Sequence, residues 1–359
     1  MKKIIPILML SFLAAGCYEE ILIPTEDKDP VLVMNAQMDN LEKIHVVHLS
    51  RSLLSKVEPF SDATVRVFVN GTFVTQAVET YDENAWNSTP YAFEAEFHPG
   101  DEVRIEASKG AFTATATAIV PAPAEIEWIK VYTAQKTYMD DVTDYYQLKV
   151  HFKDLPGNTW YGVDQRIDDV WEYLDGEGNV PPGYIAYSGF TGGLETDIDP
   201  VISEGAAMPA GDGLMDFLTA GNYYNCFSDT PIADQECTLT IMVYANYVDV
   251  PDYRYWVYVP EMLEDEEDTI LELMGMPARL TRTAYFRLRT MDFSQYHYLK
   301  ALNNLETFGT EVNFLVEPTT LPSNVEGGLG FVGIETITEM QYSRLEQEYE
   351  PVDDIYYYY

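Results

Sequence analysis

From residue 31 to residue 120 the sequence alternates apolar and polar residues in short runs, and turn residues separate one run from the next. Val65, Val67 and Val69 share one face of such a run, which ends at Asn70-Gly71, a pair that favours a two-residue hairpin. A period of two indicates half-buried β-strands rather than amphipathic helices. Short strands at this spacing are typical of an immunoglobulin-like β-sandwich.

Pro121-Ala122-Pro123 predicts a stiff connector after this sandwich, and the following residues, 124–350, are less regular but still rich in strand-forming residues. Asp292–Thr307 has helical spacing, 261–273 is a weaker helix candidate, and 188–235 has the composition of a long loop. We therefore expect a mostly β protein, in which a larger antiparallel β-rich domain with one or two packed helices follows the sandwich. The strand candidates of that domain are 126–132, 145–152, 237–248, 253–259 and 281–290, with a hairpin over 171–187.

The start of the chain predicts where the protein is located. Lys2 and Lys3 precede the apolar run Ile4–Leu13, and Ala14-Ala15-Gly16 stands directly before Cys17. This order is typical of a signal peptide, residues 1–16, that ends in a lipoprotein cleavage box. Cys17 would then become the acylated first residue, with palmitate among the expected lipids. The alternative is an ordinary secretory signal followed by a chance cysteine.

Two acidic residues follow the cysteine. Glu19 and Glu20 resemble the surface-export signal of Bacteroidota-type lipoproteins, although they would also suit the solvated start of a tether. Residues 17–30 carry two prolines and few residues to bury, so they read as a lipidated tether. The expected location is the outer membrane, lipid-anchored and exposed at the cell surface.

Net charge excludes some partners. The chain has 21 basic and 59 acidic residues, a formal charge of −38. Nucleic-acid binding needs clustered lysine and arginine, and adsorption to anionic lipid needs a basic surface. We therefore expect no nucleic-acid partner, and we expect membrane association through the lipid anchor, reinforced by a partner, because one acyl chain alone binds only marginally.

Catalytic and metal signatures are not recognisable in the sequence. It has no HExxH, GxSxG or P-loop motif, and His45 and His48 are three residues apart in a predicted strand, which places them on opposite faces. Asp175, Glu177 and Asn179 have alternate spacing, but a calcium loop would need glycine where Val180 stands. We expect no enzyme activity, no cofactor and no metal site; a hydrolase with an unrecognised carboxylate pair is the remaining catalytic alternative.

Cysteines and aromatic residues leave alternatives open. Cys226 and Cys237 flank a short loop and are candidates for a local disulfide, or else two separate buried thiols. The tail, 351–359, is acidic and tyrosine-rich, which suits either a frayed end or a segment that docks on a partner. Several aromatic residues could form a glycan platform, although most such residues pack in cores: Trp86, Trp160, Trp171, Tyr184, Tyr187 and Trp256.

A late glycine-rich segment has the most distinctive pattern in the chain. Pro318 and Pro322 favour an extended approach, and Gly327, Gly328 and Gly330 permit close backbone packing before a last strand. A tight loop that enters this strand is one interpretation. The other is a partner-contact loop, whose candidate residues are Asn324, Gly327, Gly328 and Gly330.

This late segment and several earlier ones resemble a family of uncharacterised Bacteroidota outer-membrane lipoproteins. Its members carry a domain of unknown function and are often encoded beside TonB-dependent, SusC-like receptors. The resemblance implies an accessory to a TonB-dependent transporter in nutrient capture or uptake, and it implies no catalytic residues. The alternative is a stand-alone glycan- or protein-binding adhesin, and neither reading names the ligand. The segments that carry the likeness are Val31–Ala36, Val46–Ser52, Asp62–Val67, Pro99-Gly100-Asp101, Val120–Pro123 and Glu317–Gly333.

Replacement of Cys17 by alanine tests the lipoprotein reading. The Cys17→Ala chain has no thiol for the acyl group at the cleavage box, so we expect loss of acyl labelling and release of the protein from the membrane fraction. Metabolic labelling with an alkyne fatty acid, beside the unsubstituted chain, measures both. A variant that stays labelled and membrane-bound would contradict the assignment.

Overall fold

The computed structural model describes residues 29–53, 56–82, 85, 87–138, 141–173, 179–180, 185–203, 222–249, 278–308 and 321–343. Several sequence predictions lie outside these residues. They concern Cys17, Glu19 and Glu20, the strand 253–259, the helix 261–273 and the tail 351–359.

Eight strands form the first part of the chain, and their side chains alternate between core and solvent as the sequence predicts. Val65 and Val67 are fully buried, and so are Val103 and Ile105 on the neighbouring strand. The strands are β1 Val31–Asp39, β2 Ile44–Leu53, β3 Lys56–Pro59, β4 Thr64–Val69, β5 Thr72–Glu79, β6 Thr89–Glu94, β7 Glu102–Lys109 and β8 Phe112–Ile119.

The first hydrophobic core lies between two groups of these strands. β1, β2 and β6 supply one side, including Met34, Leu49 and Tyr91, and β4, β7 and β8 supply the other. β5 joins the groups because it pairs with β4 along most of its length and with β6 at its end. The two-layered, antiparallel arrangement agrees with a sandwich; the closer likeness to immunoglobulin domains stays a prediction.

The second part of the described chain is also built mainly from strands. Its elements are β9 Ile126–Tyr138, β10 Asp141–Lys153, β11 Trp160–Tyr173, β12 Ile185–Thr191, β13 Leu194–Glu195, α1 Pro200–Ser203, β14 Cys226–Ser228, β15 Glu236–Tyr244, α2 Ala245–Val248, β16 Ala278–Met291, α3 Phe293–Phe308, β17 Val325–Glu326 and β18 Val332–Tyr342. The antiparallel sheet β13-β15-β10-β9 packs on β11, β16 and β18, with Phe152, Leu239 and Phe286 in the shared core.

The mostly β prediction is confirmed, and three details differ from expectation. The predicted loop 188–235 contains most of β12 together with β13, α1 and β14. The predicted strand 237–248 ends at Tyr244, where α2 begins, and β11 starts eleven residues before the expected hairpin. The predicted helix is present as α3, and Asp292 caps it: its Oδ1 accepts a hydrogen bond from the Gln295 N–H at 2.8 Å.

Strand β18 connects the two cores. β18 pairs in parallel with β1, so that Ala36 lies opposite Val332, and it pairs antiparallel with β16 farther along. Val332 and Ile334 are buried in the first core, whereas Tyr342 is buried in the second. The sheet therefore continues from the sandwich into the second part of the chain, and residues from the end of the sequence complete the first core.

The glycine-rich loop before β18 packs directly on β1. The Met34 N–H donates to the Leu329 carbonyl at 2.9 Å, and the Phe331 N–H donates to Asn35 Oδ1 at 2.9 Å. Gly330 has a φ of +111°, and a Cβ atom there would lie 2.2 Å from the Met34 carbonyl oxygen. Only glycine permits both this backbone conformation and this approach.

Replacement of Gly330 by alanine tests this contact. Gly110 is a matched control, because it has a φ of +60° but no atom within 4 Å of the Cβ position. We expect Gly110→Ala to lower the free energy of unfolding by about 1–2 kcal/mol and Gly330→Ala to cost about 1–3 kcal/mol more through the steric clash. Urea denaturation measures both. Equal losses would show that the loop does not press on β1.

Candidate functional site

A groove of about 580 Å³ lies between the outer side of β1–β2 and the helix α3. Strand alternation creates its floor, since the residues of β1 that do not enter the first core point outward. Fourteen residues line the groove: Asn35, Ala36, Gln37, Met38, Asp39, Glu42, Ile44, His45, Val46, His48, Tyr224, Tyr298, Leu302 and Phe331.

The floor is mostly polar along β1 and mixed along β2. Asn35 and Gln37 are exposed, while the intervening Ala36 is buried. Asn35 lies opposite His48 in the antiparallel register, and the His48 Nδ1 is 3.2 Å from the Ser88 Oγ. Gln37 therefore offers an amide donor and acceptor along the groove, and Asn35 offers its Nδ2, since its Oδ1 accepts the Phe331 N–H.

His45 lies at the edge of the groove but belongs to the core side of β2. It is 3% exposed, its Nε2 is 3.2 Å from the Ala95 carbonyl oxygen, and its ring packs against Phe93 and Phe97. Burial lowers its pKa below the ordinary value, which favours the neutral imidazole at neutral pH. The predicted placement of His45 and His48 on opposite faces agrees with their burial.

Aromatic side chains form the opposite wall. The rings of Tyr298 and Phe331 stack in parallel, with centroids 4.4 Å apart. Tyr224 is held beside them through its backbone: its N–H donates to Asn303 Oδ1 at 3.2 Å, and its carbonyl accepts from Arg289 Nη2 at 2.8 Å. Burial raises the pKa of Tyr224 and Tyr298, so both remain neutral donors at neutral pH.

One end of the groove is acidic. Asp39 ends β1, and its Oδ1 accepts the backbone N–H groups of Leu41 and Glu42 at 2.8 and 2.9 Å. Among the residues that the structure describes, no lysine or arginine forms an ion pair with Asp39 or Glu42. The nearby Lys43 pairs instead with Glu96, at 2.8 Å.

Behind this acidic end, β11, β16 and β18 carry a ladder of alternating charges. The Arg289 guanidinium lies between Asp164, at 3.4 Å, and Glu335, at 3.5 Å. Arg287 lies between Asp164, at 3.3 Å, and Glu339, at 3.6 Å. We call these five residues the charge ladder. Their side chains are only 14–18% exposed.

Burial governs the protonation of the ladder. It raises the pKa of Asp164, and Arg289 and Arg287 oppose that effect. It also raises the pKa of Glu335, against the attraction of Arg289. Asp39 lies opposite Glu335 in the parallel register and raises the pKa of both carboxyl groups further. The acidic end of the groove is thus electrostatically continuous with the ladder.

The candidate disulfide is not formed in the structure. Cys226 and Cys237 are both buried, and no disulfide joins them. Cys226 packs with Met291 and Leu299 near α3, whereas Cys237 belongs to the core between the two sheets. Because the two thiols enter different hydrophobic clusters, this prediction is corrected to two separate buried cysteines. Burial raises the pKa of Cys237 to about 12, which makes its thiol unreactive at neutral pH.

The candidate partner-contact loop lies against the protein's own backbone. Asn324 bridges across the loop: its Nδ2 donates to the Val332 carbonyl at 2.7 Å, and its Oδ1 accepts the Val332 N–H at 2.9 Å. A Cβ on Gly327 would lie 2.6 Å from the Thr113 carbonyl oxygen, and one on Gly328 would lie 2.6 Å from that of Leu32. These contacts account for the motif structurally; contact of this loop with a partner stays a prediction.

The aromatic candidates do not assemble into one platform within the described residues. Trp160 packs on Phe293, with ring centroids 5.3 Å apart, and Trp171 lies on β11 opposite Ala186. Tyr187 is 58% exposed on β12. Trp86, Tyr184, Trp256 and the predicted turn at Asp175 and Glu177 lie outside the described residues. Across the described ranges, no cluster of three or more His, Cys, Asp or Glu side chains has a metal-binding arrangement.

Sequence reasoning missed most of the groove. Asn35, Gln37 and Asp39 alternate with buried residues, which was a usable signal for an outward polar face. Nothing local indicates that α3 and Phe331 cover that face, because the contact depends on the pairing of β1 with β18. The sequence also shows charged residues at alternate positions of β16 and β18, namely Arg287, Arg289, Glu335 and Glu339. Their burial depends on the order of the strands in the sheet.

Arg289→Met tests the charge ladder. The substitution removes the cation between two buried carboxylates, and we expect a loss of about 3–5 kcal/mol in the free energy of unfolding. Arg279→Met is a matched control, because Arg279 also lies on β16 and pairs with Glu172 at 2.6 Å, but its side chain is 61% exposed. We expect Arg279→Met to change the free energy of unfolding only slightly. Comparable stability of the two variants in urea would contradict a structural role for the ladder.

Comparisons with known proteins give a family but no function. A search of curated proteins finds no match. No helix within the described ranges is long and apolar enough to cross a membrane. A family model described as a domain of unknown function, DUF4249, matches residues 18–341, which covers both cores and the groove. The chain therefore belongs to the DUF4249 family.

Proposed function

We propose that this protein is a non-catalytic lipoprotein of the bacterial outer-membrane surface that captures a small ligand in the β1–β2 groove and serves a TonB-dependent transporter. The groove is the observation that carries the binding role. Its volume of about 580 Å³ falls within the range of small-ligand sites, about 300–1,000 Å³. The mixture of amides, carboxylates and aromatic walls is also typical of such sites.

Binding explains the groove better than catalysis does. Among its described lining residues there is no serine, cysteine or lysine that could act as a nucleophile. The buried His45 is engaged by the Ala95 carbonyl and packed between two phenylalanines, so it is poorly placed for proton transfer to a ligand. The amide side chains of Asn35 and Gln37 are suited to hydrogen bonding without chemistry.

The tether supports the role beside a transporter. Cys17 carries the proposed acyl group, and residues 17–30 span at most about 50 Å when fully extended. A tether of this length keeps the groove at high local concentration beside a membrane partner. Glu19 and Glu20 are the proposed signal for the outer face of that membrane, and Bacteroidota origin is part of the same proposal.

An exposed patch on β12 favours the second candidate, a stand-alone adhesin. Ile185 and Tyr187 lie on one face of the strand and are 42% and 58% exposed, and the nearby Phe190 packs edge-on against Tyr247. Exposed aromatic rings of this kind can stack on sugars or on a protein surface. Such a patch could bind a surface directly, without any transporter.

A pull-down from native membranes separates the two candidates. We expect the tagged, lipidated chain, extracted in mild detergent, to recover a β-barrel transporter in stoichiometric amount, as measured by mass spectrometry. The control is the tagged Cys17→Ala chain, which is added to a detergent extract of the same membranes. It shows whether recovery of the transporter needs the lipid anchor. Recovery of the protein alone, under conditions that preserve other membrane complexes, together with affinity for an immobilised glycan, would favour the adhesin.

A further inference from the structure

The groove has an uneven charge distribution that bears on its ligand. Asp39 and Glu42 stand at one end, and the lining residues that the structure describes include no lysine or arginine. His45 is neutral at neutral pH because burial lowers its pKa. An anionic ligand would therefore meet two carboxylates and no compensating cation in this groove.

The carboxylates retain free acceptor capacity. Asp39 uses Oδ1 for the two backbone N–H groups of its turn, and no hydrogen bond within the described residues involves its Oδ2 or the carboxylate of Glu42. The adjacent Lys43 is held by Glu96. Glu335 and Asp164 lie close behind Asp39, but Arg289 and Arg287 compensate their charges, so the uncompensated carboxylates of the groove are those of Asp39 and Glu42.

The rest of the groove suits an apolar or aromatic group. The stacked rings of Tyr298 and Phe331 and the side chain of Leu302 form one wall, and Ile44, which is 67% exposed, continues the apolar surface on β2. The floor from Asp39 to Asn35 covers four residue steps of β1, a distance of about 13 Å. That length accommodates a ligand of dipeptide size.

We propose that the groove binds a small organic cation with an apolar or aromatic group, such as a basic dipeptide, with the cation between Asp39 and Glu42. The apolar group lies against Tyr298, whose ring stacks on the buried Phe331, and against Leu302. The amide of Gln37 and the Nδ2 of Asn35 bind the polar backbone of the ligand. This inference rests on the proposed function, because it names the ligand class of the same groove.

Titration calorimetry on the full-length chain in a non-ionic detergent tests the inference. The probe is N-acetyl-phenylalanyl-arginine amide, whose guanidinium is its one charge. The comparison compounds are N-acetyl-phenylalanyl-citrulline amide, which has nearly the same shape and no charge, and maltose, a neutral disaccharide. We expect the arginine compound to bind most tightly and to bind more weakly at high salt, since screening reduces the attraction between exposed charges.

The double variant Asp39→Asn, Glu42→Gln removes the acidic end while it retains the acceptor that caps the turn. We expect its affinity for the arginine compound to fall about tenfold, the size of two partly exposed ion pairs. Glu125→Gln with Glu127→Gln is the control, because it removes the same charge from an exposed stretch of the second part of the chain. The affinity of this control variant for the arginine compound should be unchanged.

Three results would overturn the inference: equal binding of the citrulline compound, an undiminished affinity in the Asp39/Glu42 variant, or no binding of the arginine compound at millimolar concentration. Binding of maltose alone would assign the groove to a neutral glycan instead. The titration contains no transporter, so its result does not depend on the pull-down. A pull-down that recovers no transporter would not contradict measured binding of the arginine compound.

Discussion

The parallel pairing of β1 with β18 is the interaction on which the rest of the structure depends. It brings Asn35 into hydrogen-bonding contact with the Phe331 N–H, 296 positions later in the chain. Through this pair the sandwich sheet continues into the strands of the second part, and Val332 and Ile334 fill the first core. The same pairing brings Phe331 and α3 over the outer face of β1. Without it, the polar residues of that face would be an ordinary solvated surface rather than the floor of a groove.

The two faces of β1 therefore have different tasks. Leu32, Met34, Ala36 and Met38 contribute apolar burial, which stabilises the fold. The outward side chains contribute hydrogen-bonding groups and charge. Burial of such groups without partners costs free energy, whereas in a groove they remain in contact with water. Strand periodicity separates the two functions within nine residues. The charge ladder on neighbouring strands is a different case, because its carboxylates and guanidinium groups are buried and must compensate one another.

The sequence was a good guide to local structure and a poor one to long-range contacts. Alternation at Val65, Val67 and Val69 and the turn at Asn70-Gly71 predicted β4 and the hairpin that follows it, and the helical spacing of 292–307 predicted α3. Alternation, turn residues and helical spacing are local patterns, because each reflects interactions between residues that are close in the sequence. Most of β11 was missed because charged residues interrupt its apolar pattern. The partners of Asp164, Arg166 and Asp169 include residues of β16 and β18, more than a hundred positions away. The groove was missed for the same reason, since it needs β1, β2 and α3 together.

The late completion of the first core also affects how the chain can fold. Until residue 334 is available, β1 has one unpaired edge and the sandwich has a gap where Val332 and Ile334 belong. Contacts of such large sequence separation form slowly, and an open strand edge is a site for wrong pairing. A chain that is interrupted before β18 thus retains a reactive edge at its beginning. Closure of that edge depends on β18, so the beginning of the chain stays open to other strands until residues 332–335 are available.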